Sequence, residues 1–101
     1  MNDFENCKLI FDFDAPANDH FEMKGSAART SDNKYIVIIV PTVLEQEMAE
    51  LFWDLGFTLT QETETQILIL RCSIEKYSIN FSGGVYTRLT CTCSELGVVA
   101  A

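Results

Sequence analysis

The stretch "PTVLEQEMAELFWDLGF", residues 41–57, decides between an all-β chain and one that mixes helix with sheet. Pro41 ends the apolar run before it. Thr42 and Glu45 make the T-x-x-E pattern, in which a hydroxyl and a carboxylate satisfy the free N–H groups of a helix start. Leu44, Met48, Leu51, Phe52 and Leu55 follow at spacings of three and four. On a helical projection they fill an arc of about 100°, enough for one buried face. Gly56 supplies a left-handed stop, with Phe57 placed to pack back on the last turn. The pattern predicts a helix over residues 42–55.

Everything outward from it reads as strand or turn. "KYIVIIV" (34–40) is apolar at nearly every position and β-branched, which suits a central strand covered on both faces. "KLIFDFD" (8–14) alternates Leu9, Phe11 and Phe13 with Ile10, Asp12 and Asp14, the period of a half-buried strand. "HFEMK" (20–24) continues it through a hairpin at "APAND", and "GSAARTSDN" (25–33) reads as a flexible small-residue loop. Beyond the helix, "FTLTQ", "TQILILRCSI", "KYSINF" and "VYTRLTCTC" are strand-like runs separated by "ETE", Glu75 with Lys76, and "SGG". That is the pattern of an antiparallel meander; the tail "ELGVVAA" stays unassigned. The expected fold is therefore α+β: an antiparallel or mixed sheet of five to seven strands with the helix packed on one face. A helix between strands 34–40 and 58–74 would allow one right-handed crossover.

At 101 residues the chain fits a single globular domain, 1–101. Its longest near-continuous apolar run, "YIVIIVPTVL", falls short of the roughly 20 residues that span a bilayer. Asp3 and Glu5 stand where a secretory signal would need a basic region, so the expected compartment is the cytoplasm. There, Cys7, Cys72, Cys91 and Cys93 are expected as free thiols. Cys91 and Cys93 extend the stripe Val85, Thr87, Leu89 toward the core, where a thiol acts as a small hydrophobe.

The net charge of −8 is unevenly placed. Residues 1–22 hold six acids against Lys8, and residues 41–64 hold six acids with no base. Such a surface repels phosphate backbones and anionic lipid and attracts a cationic protein surface. Neither nucleic acid nor membrane is an expected partner.

The end of the first strand, with Asp12 and Asp14 spaced D-x-D, resembles the first motif of the haloacid dehalogenase-like phosphatases. The resemblance implies Asp12 as nucleophile, Asp14 as general acid and magnesium between them and a phosphate. It covers about seven residues. It departs at Ala15 and Pro16, where the family usually has a small residue and then Thr or Val, and no later strand ends in the acidic pair the family needs. Asp12, Asp14, Asp19 and His20 could also gather round a cation, yet they lack the glycine-containing spacing of a calcium loop. The alternative is that Asp12 and Asp14 are surface charges guarding an edge strand. Triads, phosphate loops and dinucleotide fingerprints are absent from the sequence, so no cofactor is expected.

On the projected helix Glu47, Glu50 and Asp54 gather on one side with no base to offset them, and Trp53 projects beside them. A tryptophan flanked by carboxylates has the make-up of an interaction hot spot with steering charges; the alternative is that the helix is buried on a second side and Trp53 fills a core seam beneath a loop. The expected function is non-enzymatic: a small acidic inhibitor that binds a basic protein partner and neutralises it by occlusion. In type it is analogous to bacterial immunity proteins against nuclease toxins or phage inhibitors of nucleic-acid enzymes. Its contacts would be Glu47, Glu50, Trp53 and Asp54, with Asp12, Asp14 and Asp19 as a second patch. The alternatives are a metal-dependent phosphohydrolase using Asp12 and Asp14, and a structural subunit whose exposed strand pairs with its own copy.

Overall fold

Strands account for every regular element that the structure, a computed structural model, describes; the described residues are 5–16, 18–41, 56–81, 83 and 85–100. They are β1 (Glu5–Phe13), β2 (His20–Arg29), β3 (Tyr35–Pro41), β4 (Phe57–Glu62), β5 (Gln66–Phe81) and β6 (Tyr86–Ala100). The sheet closes on itself in the order β1-β2-β3-β6-β5-β4, and every neighbouring pair is antiparallel. The closing contact is made by β1, which pairs with β2 on one side (Phe11↔Phe21) and with β4 on the other (Phe11↔Leu59).

This corrects the expected α+β fold. Half-apolar strands in an open sheet need a helix to cover their apolar face; in a closed barrel that face is covered by the opposite wall. The helix expected over 42–55 lies outside the described residues. Nor is there a right-handed crossover between the strands on either side of it, because β3 and β4 are not neighbours and no described pair is parallel.

The interior follows from the period-two pattern. Leu9, Phe11 and Phe13 of β1 meet Ile36, Ile38 and Val40 of β3, Phe57 and Leu59 of β4, Leu70 and Cys72 of β5, and Leu89 and Cys91 of β6. Phe57 anchors the aromatic part, its ring centroid 5.6 Å from Phe11 and 5.5 Å from Phe13. Side chains of this bulk fill a six-stranded barrel, so its centre is a packed core. The outward positions of β1 and β2 carry Lys8, Asp12, His20, Glu22 and Lys24, the reverse of the apolar exterior of a membrane-spanning barrel.

Two boundaries differ from expectation. Gly25–Arg29, read as loop, is the second half of β2, with Ala27 and Ala28 buried. Small residues stand there because the walls approach closely: a Cβ on Gly25 would lie 2.7 Å from the Ile39 carbonyl oxygen and 3.0 Å from Leu9. The turn that follows is Thr30–Lys34, where Asn33 takes a left-handed φ of 61°. Glu75–Lys76 is no turn either; β5 runs through it with an irregularity between Ile74 and Lys76. Residues 95–100 of the tail left unassigned are the end of β6.

Candidate functional site

The two aspartates of the D-x-D sequence go to different partners. Asp12 points outward from β1 opposite His20 on β2, and the ring Nδ1 lies 2.5 Å from Asp12 Oδ1. The charges continue sideways. His20 Nε2 is 3.9 Å from Glu22, Glu22 is 3.1 Å from Lys8 Nζ, and Lys8 is 3.9 Å from Glu62 on β4. When His20 is protonated, a ladder of alternating sign crosses β2, β1 and β4 on the outer wall. The hydrogen bond to Asp12 raises the His20 pKa, and the one to Glu22 raises that of Lys8. All are solvent-exposed groups, where such pairs are worth little individually.

Asp14 leaves the end of β1, its N–H donating to the Gly56 carbonyl at 3.2 Å. Both carboxylate oxygens accept from Arg71 on β5: Nη1 to Oδ1 at 2.7 Å, and Nη2 to Oδ2. This fork-to-fork geometry is the strong form of the pair. The bond to Arg71 holds the Asp14 carboxyl below the usual carboxylate range and raises Arg71 in turn. Gly56 makes the arrangement possible, since a Cβ there would sit 2.5 Å from Arg71 Nη2. A guanidinium inside the apolar run "QILILRC" calls for an acid, and that is the signal by which the sequence could have announced this pair.

These contacts bear on the phosphoryl-transfer reading. A general acid must hold a proton to give, whereas Asp14 is kept ionised with both oxygens occupied. Among the described residues no group of three or more His, Cys, Asp or Glu side chains is placed to hold a metal ion. The edge-strand reading of the aspartates is corrected too, because β1 is hydrogen-bonded on both sides. Asp19 lies in the turn between β1 and β2, where its carbonyl accepts the Phe13 N–H at 2.9 Å while its side chain is exposed. Asp12, Asp14 and Asp19 therefore gather at one end of β1, Asp12 and Asp14 each with its own partner. Glu47, Glu50, Trp53 and Asp54 lie outside the described residues.

None of the four cysteines is in a disulfide; Cys7, Cys72 and Cys91 are buried and Cys93 is half-buried. Burial pushes the Cys72 thiol up to about 12 and raises Cys91 and Cys93 as well, which suppresses the reactive thiolate. Val85, the supposed start of their stripe, is exposed; Thr87 and Leu89 are buried as expected. Among the described residues are two open grooves. One of about 620 Å³ is lined by Lys8, Lys24, Ser26, Ile39 and Tyr86, and one of about 450 Å³ lies beside Arg71, Cys72 and Cys93.

No protein-family model matches the chain, and neither a curated protein nor a solved structure matches it significantly. No helix among the described residues is long and apolar enough to cross a membrane.

Proposed function

We propose that this chain is a small acidic binding protein of the cytoplasm that neutralises a basic protein partner by covering the surface that partner uses. The observation that carries the reading is where the charge sits. Residues 42–55, which join β3 to β4, hold four acids and no base, while the other 87 residues hold eleven acids against seven bases. Half of the net charge of −8 thus falls in one connection of fourteen residues. In the barrel wall the acids are largely spoken for: Asp12 by His20, Asp14 by Arg71, Glu22 and Glu62 by Lys8, and Glu95 by Arg29. A packed barrel centre leaves the exterior as the place for recognition. Glu47, Glu50 and Asp54 would supply the steering field, Trp53 the apolar anchor, and the exposed Asp19 an outlying charge.

The test is co-purification from the native host followed by titration calorimetry with the captured partner. The expected partner has a basic surface, and its affinity falls by tenfold or more as salt rises from about 50 mM to about 300 mM. Charge reversal at Glu47, Glu50 and Asp54 weakens it further. Tight binding indifferent to salt and to the three reversals would overturn the mechanism.

A further inference from the structure

Among the described residues the end of β6 is an unpaired sheet edge. Residues Tyr86–Thr92 lie between β3 and β5, but the pairing with β3 stops at Tyr35↔Thr92, and the Cys93 N–H donates to Lys34 O at 2.9 Å. From Ser94 to Ala100 the strand is paired with β5 alone, Arg71↔Ser94 through Gln66↔Ala100, and no described strand lies on its other side. Its backbone groups on that side are therefore a template for another strand.

The side chains are as unusual as the edge. Val98 sits opposite Leu68, which is buried, so Val98 is on the core-side face; it is nonetheless 50% exposed, because β3 does not reach far enough to cover it. Its neighbour Val99, on the other face, is 54% exposed, and Leu96 is 60% exposed. Natural edges are guarded by lysine, proline, bulges or inward charge. Here the guard is one bulge, at Leu96, which falls between the pairs Leu70↔Glu95 and Ile69↔Gly97. The single charge of the segment, Glu95, is taken by Arg29 at 3.3 Å.

We infer that Ser94–Ala100 pairs antiparallel with the same segment of a second copy across a two-fold axis, continuing the sheet from one barrel into the next. An antiparallel edge is complementary to itself under such an axis, which must pass through a residue position for the outward-facing groups to meet. Gly97 and Val98 are the central positions. A Cβ built on Gly97 meets nothing within 4 Å, so the face of the sheet is open there. With the axis at either position, the two copies of Glu95 are at least four residues apart along the strands, about 13 Å and beyond the Debye length of about 8 Å at physiological salt. An acidic chain of net charge −8 resists meeting its copy, and this neutral, apolar strip is where the resistance is least. Self-association therefore strengthens with salt, opposite in sign to the capture of a basic partner.

Sedimentation of the full chain over the micromolar range tests it. The expected result is a species of twice 11.4 kDa whose dissociation constant tightens at least threefold from about 20 mM to about 300 mM salt. Val98→Lys and Leu96→Lys place like charges close to the axis and should each weaken the dimer by tenfold or more. Leu96 is 60% exposed, so in Leu96→Lys circular dichroism and the melting temperature of the monomer should be unchanged, separating loss of pairing from loss of fold; Val98→Lys, on the core-side face, is read for pairing alone. A chain that is monomeric throughout the range, or a dimer untouched by both lysines, overturns the inference, as does a monomer that pairs only with a foreign extended peptide. The outcome is independent of the proposed function: a basic partner still held by Val98→Lys leaves that reading intact, and a dimer lost in Val98→Lys stands whether or not any partner is found.

Discussion

Thr87 carries the one described side-chain polar atom that is buried without a hydrogen-bond partner. It sits on β6 opposite Val40, both fully buried, in a stripe otherwise made of Leu89 and Cys91. An orphaned hydroxyl in apolar surroundings costs about 1–3 kcal/mol. Valine has the same shape with a methyl in place of the oxygen. Thr87→Val should therefore stabilise the barrel by roughly 1–2 kcal/mol, seen as a rise in melting temperature of roughly 5–10 °C for a domain of this size. A fall would show that the hydroxyl is bonded. The same scale explains how much of the acidic site could be read from residues alone. Leu9, Phe11 and Phe13 declare themselves as core by alternation, and Asp12 as surface by the same rule. What alternation cannot say is that Asp14 belongs to Arg71, 57 positions away. That pairing depends on β4 lying between β1 and β5, a fact about neighbours in space.

At the scale of elements, legibility followed side-chain bulk. β1, β3 and β4 are rich in large apolar residues at strand spacing and are readable as strands, β3 and β4 to within a residue and β1 to within three at its start. The second half of β2 was not, because "GSAAR" has the composition of a loop, and only the close approach of β3 explains it. Composition speaks to flexibility when nothing packs on the segment; here Ala27 and Ala28 are buried. The capping pattern at Thr42 and Glu45, and the apolar spacing behind it, steered the fold class toward α+β, although the alternation in the strands already fitted a barrel that needs no covering helix. Gly25 offers the test of the close-approach account. Its missing Cβ would press on the Ile39 backbone oxygen at 2.7 Å and on Val40 at 2.9 Å, so β3 must move to accept one. Gly25→Ala should cost about 1–3 kcal/mol, as overpacking does, and lower the denaturant midpoint with an unchanged slope. An unaltered midpoint would mean that the wall has slack there.

At the scale of the whole molecule, closure is the feature least visible in the sequence. It rests on β1 pairing with β4, Lys8↔Glu62 through Phe13↔Phe57, residues far apart in the chain whose register no local pattern records. Its physical consequence is cooperativity. In an open sheet an edge strand can peel away, but here any of the six strands leaving the wall opens the common core of Phe11, Phe57 and Leu59. The thiols report on this from three different strands: Cys7 on β1, Cys72 on β5 and Cys91 on β6, all buried. Burial also raises the Cys72 thiol to about 12, so while it stays buried it yields little thiolate at about pH 8, and exposure removes that protection. Cys93, half-buried and hydrogen-bonded through Sγ to the Asn33 carbonyl at 3.7 Å, is the accessible one. An aromatic disulfide reagent at about pH 8 should therefore modify Cys93 first and then the other three together, in a single phase whose rate tracks global unfolding. Mild denaturant should accelerate that phase in step with the unfolding equilibrium, and Thr87→Val should slow it by the factor that its stability gain implies. Should Cys7 react well ahead of Cys72 and Cys91, β1 opens on its own, and the seam between β1 and β4 is weaker than a closed hydrogen-bonded wall requires.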